Sequence, residues 1–140
     1  MVKDIVTDNE VLSVPCEKAT EADAAIVEDL LDTFDSMEEV ACLAANQIGE
    51  TKAIVVYLDD NEEKHVMFNP VLKQALYPSK VEEECFSHEG EPKKVTRFAW
   101  INVTYDELVD GKLVPRKRKF EGWTAQVVQH MIDHCKGKLV

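Results

Sequence analysis

Gln129-His130-Met131-Ile132-Asp133-His134-Cys135-Lys136-Gly137 is the stretch from which the rest of the chain is read. On a helix, residues at i and i+4 stand one above the other, so His130 and His134 offer two imidazoles on one face and can grip one metal ion. The bland alternative is a polar stripe near a helix C-terminus, where positive charge is favoured. In the metallohydrolase form of this spacing, His-Glu-x-x-His, the Glu takes a proton from water that the ion polarises. Met131 stands in that place here, and a thioether accepts no proton at neutral pH. The spacing speaks for a metal site, and the residue inside it speaks against ordinary hydrolysis.

Working outward, residues 122–135 read as the last helix, with Trp123, Val127, His130 and His134 on one face and Gly137 placed to end it in the left-handed conformation. Before it, residues 94–108 and 113–120 are rich in β-forming side chains and flank Asp110-Gly111, a strong hairpin turn. A further hairpin is expected from residues 53–58, a polar turn at 59–63 and a strand at 64–68, leading through Asn69-Pro70 to a short strand at 71–76. If residues 80–87 are extended, Glu83, Cys85 and Ser87 face one side and Glu84 and Phe86 the other. Thr20 and Asp23 look like the start of an amphipathic helix over residues 21–39, on which Ile26, Val27, Leu30, Leu31, Phe34 and Met37 recur at helical spacing. Residues 1–19 read as an irregular arm. The small residues of 40–49, closing on Gly49, let the backbone pass close to either a strand or a ligand.

This order predicts an α+β fold in which mostly antiparallel sheets wrap around the C-terminal helix, as one domain over residues 1–140 with a single core. A His pair on such a buried helix must have partners, and a metal is an efficient one. A net charge of −11 argues against nucleic acid or anionic lipid as a partner. The basic residues of 112–119 alternate with apolar ones and read as the solvated face of a strand. With no apolar h-region at the start and no run near the roughly 18 residues that span a bilayer, the expected location is the cytoplasm. Cys16, Cys42, Cys85 and Cys135 show no paired framework, which suits a reducing compartment.

Four ordered motifs together resemble the peptide deformylases: Leu43-Ala44-Ala45-Asn46-Gln47-Ile48-Gly49, Asn69-Pro70, Glu83-Glu84-Cys85-Phe86-Ser87 and Gln129-His130-Met131-Ile132-Asp133-His134 with Gly137. The resemblance implies one divalent ion held by Cys85, His130 and His134. A thiolate and two imidazoles form a tetrahedral set with one open position, as catalysis requires. Ferrous iron is the family's ion, with zinc, nickel or cobalt as substitutes, and the donor types do not choose among them. The implied reaction is hydrolysis of the formyl group from the formyl-Met terminus of nascent peptides. By resemblance, Gln47 and the Phe86 backbone N–H stabilise the oxyanion, and Glu83, Arg97 and Asp133 support the ligands. The bland alternatives are a loop-capping role for Gln47 and a surface cross-strand pair for Glu83 with Arg97.

The chain departs from the family pattern at the site itself. Met131 replaces the Glu that moves the proton, and Glu84, which replaces a Gly, points away from the metal if the strand alternates regularly. Val40 and Cys42 replace two glycines of the substrate loop beside Leu43, adding β-carbons where the backbone approaches substrate. Cys42 also brings a second thiol toward Cys85, as extra ligand, disulfide partner or inert packing. The reading that follows is a deformylase-like metalloprotein with weak or no activity. Its rivals are an active deformylase despite Met131, a module that binds peptide N-termini, and a metal or redox sensor.

Overall fold

The computed structural model describes residues 1–83 and 93–138. Its centre is strand β2, Ile54–Leu58. The run Ile54-Val55-Val56-Tyr57 is apolar without interruption because the strand is covered on both faces. Val55 and Tyr57 join a cluster with Ala125, Val128, Met131 and Ile132 of the last helix, whereas Ile54 and Val56 join one with Leu30 and Phe34 of the long N-terminal helix. The single core expected from the sequence is thus two clusters separated by the sheet.

Around β2 runs one five-stranded antiparallel meander: β1 (Cys42–Ala44), β2, β3 (Lys64–Glu83), β4 (Lys93–Val109) and β5 (Lys112–Glu121), in that spatial order. The expected α+β class with antiparallel strands around a C-terminal helix is what the chain adopts. The separate strands read at 64–68, 71–76 and the start of 80–87 are one continuous β3, interrupted by register shifts between Phe68 and Val71 and between Leu72 and Gln74. Pro70 has no N–H for the ladder, and a bulge accommodates it without ending the strand. Asn69 takes a left-handed φ of 54° there. Its side chain accepts from Ala19 N–H at 2.8 Å and donates to Ala19 C=O at 2.9 Å, tying the arm to the sheet. Asp110 (φ 50°) and Gly111 (φ 80°) make the expected tight β4–β5 turn.

Helix α1 is a short turn, Asn9–Leu12, capped by Asp8, inside what the sequence suggested was an irregular arm. Thr20 and Asp23 form a reciprocal capping box, but the first turn, Glu21–Asp23, is 3₁₀, and α2 runs only over Ala24–Ser36 rather than to residue 39. The final helix, α3, spans Gly122–Cys135, and Gly137 follows it with φ 76°. Nine of its residues, from Thr124 to His134, are buried, so α3 is an interior element and its polar side chains must find partners.

Candidate functional site

Gln129 shows how α3 is seated. Its amide oxygen accepts from Phe98 N–H at 2.9 Å and its nitrogen donates to Phe98 C=O at 2.8 Å, so one side chain pairs with β4 as a neighbouring strand would. One residue on, His130 points into the interior toward His134, with the two Nε2 atoms 3.2 Å apart. Tetrahedral bonds of about 2.0–2.1 Å to one ion put two such nitrogens about 3.3–3.4 Å apart, so the pair fits a shared cation with little movement. The other nitrogen of His130, Nδ1, lies 2.9 Å from Glu83 Oε1, which fixes the ring and leaves Nε2 as the atom aimed at the shared point.

Glu83 is in turn held by Arg97, Nη2 to Oε1 at 2.8 Å and Nε to Oε2 at 2.9 Å. Arg97 Nη1 also donates to Asp133 Oδ2 at 2.7 Å. The guanidinium is 8% exposed and the Glu83 side chain 7%, so the surface cross-strand alternative fails. The register agrees, since the residue opposite Glu83 is Lys93 and the residue opposite Arg97 is Ser79. Burial alone would raise the Glu83 pKa, but hydrogen bonds from His130 and Arg97 more than offset it and hold the carboxyl at about 2. Burial likewise works against the charge of Arg97, and Glu83 outweighs it, leaving the guanidinium raised.

Gln47 sits in a 3₁₀ turn, Ala45–Ile48, that Gly49 closes at φ 89°. Its Oε1 accepts from Ala44 N–H at 3.0 Å, so it does hold its own loop, and it also lines the cleft beside His130. The neighbouring Asn46 donates to the backbone carbonyl of His134 at 2.9 Å, a contact the sequence did not signal because it joins residues far apart in the chain. The cleft has a volume of about 260 Å³, and Ala41, Cys42, Trp123, Val127 and Met131 are among its walls, with Glu39, Glu82 and Gln126 as polar members. Met131 is 1% exposed and belongs to the α3 core cluster. Leu43 is fully buried, and Val40 is 8% exposed in the cluster around α2.

Cys85, Phe86, Glu84 and Ser87 lie outside the described residues. A second group, Asp59, Glu63 and His65 at the β2–β3 hairpin, brings three donor atoms within 4.8 Å of one another. The sequence read Asp59 and Glu63 only as part of a polar turn and His65 only as part of the strand at 64–68. Asp59 Oδ1 accepts the Asn61 and Glu63 N–H groups at 2.8 and 3.0 Å, and Oδ2 lies 2.7 Å from His65 Nε2.

The family model described as Polypeptide deformylase matches residues 2–140. The chain belongs to the peptide deformylase family. The peptide deformylase of Clostridium beijerinckii is 38% identical over 141 residues, covering 100% of both chains. That of Aquifex aeolicus is 35% identical over 145 residues, covering 98% of this chain and 84% of its own. The crystal structure of the Thermus thermophilus peptide deformylase superposes with a TM-score of 0.84 at 30% identity, covering 99% of this chain and 84% of that one. Within the deformylase fold, the His pair of α3 and the carboxylate and guanidinium beneath it therefore form one connected array. No helix among the described residues is long and apolar enough to cross a membrane.

Proposed function

We propose that this chain is a deformylase-fold metalloprotein in which Cys85, His130 and His134 would hold one divalent ion and deformylation is slow because residue 131 is Met. The observation that carries the reading is the place of Met131: it follows His130, is buried in the core cluster, and lines the cleft next to that imidazole. When bound, the ion would polarise water and the formyl oxygen. Iron is the family's ion by resemblance, and zinc, nickel or cobalt suit the same donors.

The chain's own residues do the rest. Glu83 and Arg97 keep His130 oriented with Nε2 toward His134. Gln47, held by Ala44 N–H, presents its amide to the cleft, where with the Phe86 N–H it would stabilise an oxyanion. Trp123 and Val127 supply apolar wall for the first side chain of a bound peptide. Met131 occupies the position from which a carboxylate would take the proton of water and hand it to the leaving amine. The natural partner on this reading is the N-terminus of a nascent peptide in the cytoplasm.

The test is hydrolysis of a formyl-Met tripeptide by metal-loaded protein beside its Met131→Glu variant, with peptide binding measured in parallel by calorimetry. Slow turnover that Met131→Glu restores supports the reading. Equal, rapid turnover in both overturns it in favour of an active deformylase that moves the proton another way.

A further inference from the structure

We propose that Cys16 and Cys135 are a redox pair that closes reversibly into a disulfide, tying the N-terminal arm to the end of the histidine-bearing helix. Cys16 N–H donates to Cys135 C=O at 2.8 Å, and the Cys135 thiol is close enough to Cys16 to lower its pKa. With N–Cα and O···Cα separations fixed by covalent geometry, that bond holds the two α-carbons within about 6.7 Å of each other, inside the roughly 4.4–6.8 Å that a disulfide spans. Closing the bond therefore needs little backbone movement.

The arm is seated on both sides of Cys16. Before it, Leu12 is 1% exposed, and the chain passes so close to the end of α3 that a Cβ on Gly137 would stand 2.6 Å from Ser13 O. After it, Glu17 N–H donates to Thr51 C=O and Glu17 C=O accepts from Ala53 N–H, each at 3.0 Å. Both cysteines are only partly buried, so a small oxidant can reach them. The neighbouring Cys135 thiol also lowers the Cys16 pKa, against the opposing effect of burial, which favours Cys16 as the sulfur that reacts first. The arm touches the site as well, since Val6 N–H donates to Gln47 C=O at 2.7 Å. The staple would hold the glutamine turn and the helix carrying His134 in one unit.

The oxidant is a hydroperoxide. The Cys16 sulfur attacks one peroxide oxygen, the O–O bond breaks, and Cys16 sulfenic acid and one water form from hydrogen peroxide. The Cys135 sulfur then attacks the Cys16 sulfur; the S–S bond forms, the S–O bond breaks, and the oxygen leaves as a second water carrying the Cys135 proton. Two thiols and one peroxide become one disulfide and two waters. A dithiol reductant reverses it by exchange.

The experiment treats the full chain with hydrogen peroxide, alkylates the remaining thiols, and maps tryptic peptides by mass. Residues 4–18 joined to residues 120–136, separated again by dithiothreitol, is the expected product. The linked form should also melt at least ~5 °C higher than the reduced form, because the bond closes a loop of about 120 residues. Cys16→Ser, at a partly exposed position, should keep the fold and lose both signals. Recovery of Cys16 and Cys135 fully alkylated after peroxide, or a linked peptide joining either of them to Cys42 or Cys85 instead, overturns the proposal. Wild-type mapping decides this even if a variant folds poorly.

Discussion

Two sides of α3 meet at His130, and they obey different rules. On one side Glu83, Arg97 and Asp133 form a buried charged array in which each member satisfies another. On the other, Met131, Val127, Cys42 and Trp123 form the apolar part of a cleft whose remaining lining includes Glu39, Glu82 and Glu83. Removing one member of a buried charged set leaves its partner uncompensated, so such a set is kept whole or replaced whole. An apolar wall imposes no such condition; a residue there can be exchanged for another of similar bulk at small cost to the fold. That difference explains how a chain can hold an intact support for the His130 imidazole while the position beside it carries a thioether.

The largest effect that would sharpen this contrast is Met131→Glu in the metal-loaded protein, which should raise formyl-peptide hydrolysis by about 10²- to 10⁴-fold. The same variant should unfold more easily, because a carboxyl enters an apolar cluster. On the charged side, Arg97→Ala should cost about 3–5 kcal/mol in chemical denaturation, since it strands Glu83 and Asp133 together. A Glu83→Gln, Arg97→Met double variant should lose less than Arg97→Ala alone. A double variant that loses as much as the two single changes added together would show that the array is not a unit.

Val40→Gly should cost about 2–3 kcal/mol, because Val40 is buried in the cluster around α2 and glycine adds chain entropy to the unfolded state. An unchanged midpoint would mean that the valine serves the cleft and not the core. The smallest effect probes the apolar side by pH. Tyr57, opposite Cys42 in the β1–β2 pairing, is pushed up to about 12, chiefly by burial. The unfolded chain ionises this phenol near pH 10, so its contribution is full below that pH and is lost as pH rises toward 12. After allowance for partial screening, Tyr57→Phe should remove about 2 kcal/mol of alkaline destabilisation, read as the difference between the two proteins at pH 9 and pH 12.

The ends of α3 were legible because a glycine lies on either side of its apolar run and Gly137 adopts the left-handed geometry that only glycine takes easily. The two-residue Asp110-Gly111 turn was legible for the same reason. The unity of β3 was not, because Asn69-Pro70 reads locally as a break, and only the side-chain bonds of Asn69 to Ala19, fifty positions away, show why the strand continues. At the site, periodicity put His130 and His134 on one face of a helix. The burial of Glu83 with Arg97 could not be read from strand pairing, since the two are not opposite each other in the ladder. The contact of Cys16 with Cys135 was equally hidden. Cysteines without short-range spacing carry no local pattern, and this pair is made by the arm crossing the helix end.

Strand β5 closes the described sheet on one side, and its sequence bears on how copies of the protein behave when crowded. Lys112, Arg116, Lys117, Arg118 and Lys119 stand along it, with Pro115 between them lacking an N–H to offer. A second β5 approaching edge to edge would bring like charges together and find a gap in the hydrogen-bonding row. In a chain whose total charge is −11, this row of cations acts as a guard against sheet-to-sheet aggregation.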